Sequence, residues 1–177
     1  MQTWIVLLRG INVGGRHLLP MKELVGHLQA DGFRAVRTYI QSGNVVLQGN
    51  ERPGDRIGEL IERHYGFRPA VFALSAEELR EAADGNPFES DAGKTVHFFF
   101  CSPEPRQTDY ALLESVKGPD EAYRLSGAVF YLYAPDGIGR SRLAEKIGKA
   151  LPGVEITARN LNTVNKLLDM STQNKPR

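Results

Sequence analysis

The order of elements constrains this chain more than any single residue does. Apolar runs of strand length and amphipathic stretches of helix length follow one another as strand, helix, strand, strand, helix, strand, and that order occurs twice. In the first half, Thr3 to Arg9 reads as a buried strand. Pro20 to Ala30 reads as a helix, with Met21, Leu24, Val25 and Leu28 at helical spacing. Val36 to Gln41 and Val45 to Gln48 are predicted strands around Ser42-Gly43-Asn44, which reads as a tight hairpin turn. An amphipathic helix carrying Ile57, Leu60 and Ile61 follows, then a strand from Ala70 to Leu74. Ser75 and Glu78 have the spacing of a capping box, and Asn86-Pro87 closes the helix it starts.

The second half repeats the order. Thr95 to Cys101 is a strand, Thr108 to Val116 a helix, and Ala122 to Leu125 with Val129 to Tyr133 a hairpin. Arg142 to Leu151 is a helix, Glu155 to Thr157 a short strand, and a last helix starts near Asn160. The residues echo as well: Tyr39, Ser42, Gly43 and Val45 lie over Tyr123, Ser126, Gly127 and Val129. The expected fold class is therefore α+β: two tandem ferredoxin-like βαββαβ halves with antiparallel sheets, residues 1–85 and 94–177, plus a C-terminal helix in the second. Internal duplication with exchange of strands between the halves is compatible with this order.

Such a chain of 177 residues, 41% hydrophobic, can bury one large core or two small ones. No apolar run approaches the roughly 20 residues of a membrane helix, and the start resembles no secretory leader, so a cytoplasmic protein with no membrane partner is expected. Cys101 is the single cysteine, which excludes an internal disulfide; its apolar surroundings point to packing. The net charge of +1 is unevenly spread. Residues 1–48, 49–119 and 120–177 hold five, eight and nine Lys/Arg against two, thirteen and six Asp/Glu, so both ends are basic and the middle acidic.

Alternation of strand direction places the motifs. The first strand-to-helix loop, Gly10 to Leu19, and the hairpin turn Ser42-Gly43-Asn44 fall at one end of the first sheet. The loop is longer than a connection requires, and its glycines free backbone N–H groups for a ligand. In the second half, Asp136 to Arg142 enters a helix, and Arg159-Asn160-Leu161-Asn162-Thr163 is expected to follow the last strand. If the second half runs antiparallel to the first, all four segments face one cleft. Arg9, Asn12, Gly14, Gly15, Arg16, Ser42, Asn44, Gly139, Arg140, Ser141, Arg159, Asn160 and Asn162 are the candidate ligand-binding residues. Arginines would neutralise phosphate or carboxylate, and amides, hydroxyls and glycine N–H groups would orient it.

No catalytic residue emerges. His17, His27, His64 and His97 show no metal-ligand spacing, so neither metal nor cofactor is expected. The glycines match neither the Walker nor the dinucleotide pattern, and Ser42 lies in a hairpin turn rather than a nucleophile elbow. Asn160 also reads as a simple helix cap. Two alternatives to a small anion remain open: single-stranded nucleic acid stacked on Phe98, Phe100, Phe130 and Tyr131, or a non-catalytic module for a protein partner. The oligomeric partner is undefined.

Leu7-Leu-Arg-Gly-Ile-Asn-Val-Gly-Gly15, Met21-Lys22, Thr38 to Val45, Asn86-Pro-Phe88, Gly137-Ile-Gly139, Arg159-Asn160 and Asn162-Thr-Val164 resemble the bacterial family catalogued as domain of unknown function 1697. The resemblance covers nearly the whole chain. It implies a bacterial α+β protein with two ferredoxin-like halves and no established activity. Where that family carries tryptophan between two C-terminal asparagines, this chain has Leu161.

Overall fold

The computed structural model describes residues 1–173; residues 174–177 of the expected second half lie outside it. It is a mixed α/β structure with two four-stranded antiparallel sheets and, among the described residues, six α-helices. The elements are β1 (Gln2–Leu8), α1 (Met21–Ala30), β2 (Arg34–Tyr39), β3 (Asn44–Gly49), α2 (Gly54–Tyr65), β4 (Val71–Ser75) and α3 (Ala76–Asp84). After them come β5 (Val96–Ser102), α4 (Tyr110–Val116), β6 (Ala122–Ser126), β7 (Val129–Tyr133), α5 (Arg142–Ala150), β8 (Glu155–Asn160) and α6 (Leu161–Gln173). Short 3-10 turns precede β5 and α5.

The chain divides into two compact units. Unit 1 is Met1–Glu81 with the chain from Lys166 onward, and unit 2 is Ala82–Asn165. The division falls within α6. Arg37 on β2 ties the helix end to unit 1: its guanidinium donates to Gln173 Oε1 at 2.9 Å and to the Met170 carbonyl.

In unit 1 the strand order is β2-β3-β1-β4, with Leu7 opposite Asn44 and Leu8 opposite Val71. The core lies between one sheet face, carrying Trp4, Val6, Leu8, Val45 and Leu47, and helices α1 and α2, which supply Leu24, Leu28, Ile57, Leu60 and Ile61. Their helical spacing is what allows one face to be buried completely, each such side chain contributing about 2 kcal/mol. Ile5 and Leu7, which alternate with these on β1, are fully buried too, so the strand reads as a continuous apolar run.

Unit 2 has the order β6-β7-β5-β8. Phe99, Cys101, Phe130 and Leu132 pack against Leu113 of α4 and Leu143, Ile147 and Ala150 of α5. The strand order is the same in both units, but the residue echo between the hairpins does not follow the register. Ser126 pairs with Val129 across a two-residue turn, whereas Tyr39 pairs with Asn44 across Ile40 to Gly43. The shared Ser-Gly pair therefore occupies different turn positions. The capping box is formed as its spacing requires: the Glu78 carboxylate accepts from Ser75 N at 2.8 Å, and Glu78 N donates to Ser75 Oγ at 3.0 Å.

Candidate functional site

The loop Gly10 to Leu19 is held from inside by Asn12. Its amide Nδ2 donates to the Leu19 carbonyl at 3.0 Å, its Oδ1 accepts from Leu19 N at 2.8 Å, and its backbone N donates to the His17 carbonyl at 3.1 Å. Asn12 has φ +53°, in the left-handed region that asparagine tolerates better than most side chains. Beyond it, Val13 and Arg16 form a bridge around Gly14 and Gly15. Both glycines have positive φ, +60° and +71°, as a two-residue hairpin turn of the I′ type demands. His17 stacks on Phe67 at 4.5 Å between ring centroids, and Leu19 is buried.

The β2–β3 turn meets this loop. Asn12 Nδ2 also donates to the Gln41 carbonyl at 3.0 Å, across 29 positions of sequence. Gly43 lies so close to the end of β1 that an added Cβ would sit 2.9 Å from Leu8 Cβ and 3.0 Å from the Leu8 carbonyl, and its φ is +83°. Asn44 is fully buried and donates to the Tyr39 carbonyl at 3.1 Å and to Ser42 Oγ at 2.9 Å. Arg9, Asn12, Gly14, Gly15, Arg16, Ser42 and Asn44 thus gather at one end of the unit 1 sheet. They divide by role. Asn12 and Asn44 spend their amides holding the two loops, while Arg9, Arg16 and Ser42 are exposed. Among the described residues the Arg16 side chain makes no hydrogen bond or ion pair.

In unit 2 the structure changes the roles of several candidates. Ser141 is 4% exposed and caps α5: its Oγ accepts from Ala144 N at 3.0 Å and donates to the Glu121 carboxylate. That carboxylate also accepts from Gly118 N at 2.7 Å. The positive end of α5 is therefore already met by a hydroxyl and an anion, and Ser141 serves as its helix cap. Gly139 and Arg140 beside it are exposed.

Arg159 and Asn160 do not follow the last strand, as the sequence suggested; β8 runs on through both. Arg159 pairs with Phe98, is 8% exposed, and donates to Thr157 Oγ1 and to the Ala158 carbonyl, each at 2.8 Å. Burial pushes its guanidinium pKa down to about 10. Asn160 Oδ1 accepts from Thr163 N at 2.9 Å, capping α6. Asn162 lies against Gly93, where an added Cβ would fall 2.1 Å from its Oδ1. These segments do share one end of their sheet, since His97 near the start of β5 pairs with both Leu132 and Asn160.

The aromatic platform that the nucleic-acid alternative requires is closed. Phe98 and Phe130 are fully buried, Phe100 and Tyr131 nearly so, and the Tyr131 hydroxyl donates to the Ala82 carbonyl at 2.6 Å. Bases need open ring faces. Cys101 is buried with its thiol pKa pushed up to about 11 by desolvation, which disfavours the thiolate. Among the described residues no group of three or more His, Cys, Asp or Glu could hold a metal ion, and no helix is long and apolar enough to cross a membrane. Sequence reasoning passed over Ile40, an exposed β-branched residue at φ +50°, because only the turn register reveals its backbone.

A family model described as "Protein of unknown function (DUF1697)" matches residues 1–131. The chain belongs to this family. The match takes in the whole glycine loop and the β2–β3 turn of this DUF1697 protein, and ends before Arg140 and Arg159. Among solved structures, a conserved bacterial protein from Streptococcus pneumoniae, SP0830, is similar with a TM-score of 0.66 at 24% identity, covering 96% of this chain and 98% of that one. This likeness is one of fold. No curated protein matches the chain.

Proposed function

We propose that this DUF1697 protein binds a small phosphate- or carboxylate-bearing anion on the glycine loop of unit 1. The observation that carries the reading is Arg16: an exposed guanidinium without an ion-pair partner among the described residues, on a turn whose two glycines leave their N–H groups beside it. Asn12 supports the reading by making the loop stiff, so that less ordering entropy is lost on binding. We further read each unit as ferredoxin-like, because the strand orders β2-β3-β1-β4 and β6-β7-β5-β8 with intervening helices are those of a split βαβ arrangement.

A thermal-shift screen with inorganic phosphate, nucleotides, sugar phosphates and organic acids tests the proposal. Ligand held by the folded state stabilises it by RT ln(1 + [L]/Kd), about 2.7 kcal/mol at a hundredfold excess over Kd. Arg16→Ala should weaken the response without lowering the melting temperature of the free protein. An absent response to every anion rejects the reading.

A further inference from the structure

We infer that the loop end of unit 1 docks on an anionic lipid bilayer, the headgroup phosphate being the anion taken by the glycine loop. This rests on the anion-binding reading of that loop and adds the occupant of its apolar surroundings. Five large apolar side chains stand strongly exposed among the described residues, and three of them lie on the two loops that Asn12 joins: Val13 at 67%, Leu18 at 64% and Ile40 at 53%. Single exposed aliphatics are ordinary; three on adjoining tips of one sheet end are a patch.

Ile40 adds a second observation. A β-branched side chain at φ +50° is strained, and being exposed it returns little packing to the fold. At 53% exposure the side chain leaves apolar surface in water that an apolar medium outside would cover. Charge supplies the third. Residues 1–22 and 33–50 contain no Asp or Glu, and Arg16 and Lys22 are exposed without ion-pair partners among the described residues. Aliphatic tips flanked by cations complement a surface of acyl chains beneath anionic headgroups, and such shallow contact needs no spanning segment. The space beside the loop's glycines is open: an added Cβ at Gly10, Gly14 or Gly15 would meet nothing within 4 Å.

Flotation of the whole chain with phosphatidylcholine vesicles, with and without phosphatidylserine, tests this. Binding should require phosphatidylserine and fall with salt. Arg16→Gln should reduce it about fivefold, and the double variant Leu18→Ser/Ile40→Asn roughly tenfold or more. Asparagine accepts the left-handed backbone, so a urea midpoint no lower than that of the parent shows the double variant folded. Equal binding to neutral vesicles, or undiminished binding by the double variant, overturns the inference. So does self-association that the double variant abolishes, which would make a second copy the occupant. A melting shift with inorganic phosphate or glycerol phosphate but no flotation rejects the membrane while leaving the anion site standing. Absence of both rejects the two together.

Discussion

Asn12 and Leu19 hold each other through two reciprocal hydrogen bonds, side-chain amide to carbonyl at 3.0 Å and backbone N–H to Oδ1 at 2.8 Å. An asparagine side chain here imitates a strand partner, so the loop between the two residues is closed around the small Val13–Arg16 turn. The same amide reaches Gln41, which makes loop and turn one body.

Asn12→Ala removes all three side-chain bonds and leaves the buried Leu19 backbone without its partners. A loss of about 2–3 kcal/mol in urea unfolding is expected. Asn12→Asp should cost a similar amount at neutral pH, because a carboxylate would face the Leu19 and Gln41 carbonyls, and should recover in part on acidification, when the protonated carboxyl can donate again.

The β2–β3 turn is expected to respond with opposite signs at two positions. Gly43→Ala would drive a Cβ into the Leu8 backbone and strain φ +83°, costing more than about 1 kcal/mol. Ile40→Gly or Ile40→Asn relieves φ +50° and should stabilise by roughly 1 kcal/mol. Thermal melts of both variants check the pair.

Ser141→Ala should lower stability by about 1 kcal/mol through loss of the α5 cap, and leave Glu121 without its hydroxyl donor. It should leave any anion-induced melting shift unchanged. A lost shift in this variant would return Ser141 to the binding residues.

Two groups with shifted pKa values contribute to the acid limb of stability in different windows. Burial lowers the His97 pKa, against the opposing hydrogen bond to the Lys94 backbone, so the unfolded chain takes up a proton near 6.5 while the folded one resists. Stability should therefore fall as pH drops below 6.5 towards the folded value, and His97→Gln should flatten that slope in urea titrations. Glu78 is held low chiefly by its hydrogen bond to Arg52, at 2.8 Å and 3.0 Å. Its contribution is present above the ordinary carboxylate range and lost as pH falls through the lowered value; Glu78→Gln removes only that more acidic component.

Much of the backbone plan was legible because it depends on near neighbours. The helical spacing of Leu24 and Leu28, the Ser75–Glu78 capping box and the glycine pair before Arg16 each carry a local physical requirement, and each is met where it was read. Burial of Phe98 and Phe100 was partly legible, since the continuous apolar run Val96 to Cys101 reads as a strand buried on both faces, and it is buried throughout. The polar candidates were ambiguous for a related reason. Asn12, Asn44, Ser141 and Asn160 are residue types that suit either a ligand or the chain's own backbone, and only their partners decide between the two.

The amino-acid order by itself determined the succession of strands and helices, the glycine turn and the charge of the two loops, because propensity, spacing and composition act over a few residues. Tertiary structure alone decided that Asn12 reaches Gln41, that Arg37 claims the end of α6 for unit 1, and that Arg16 stays exposed while Arg159 is buried. These outcomes turn on which distant groups meet in space, and a hydrogen-bonding group with several possible partners carries no mark of the one it will find.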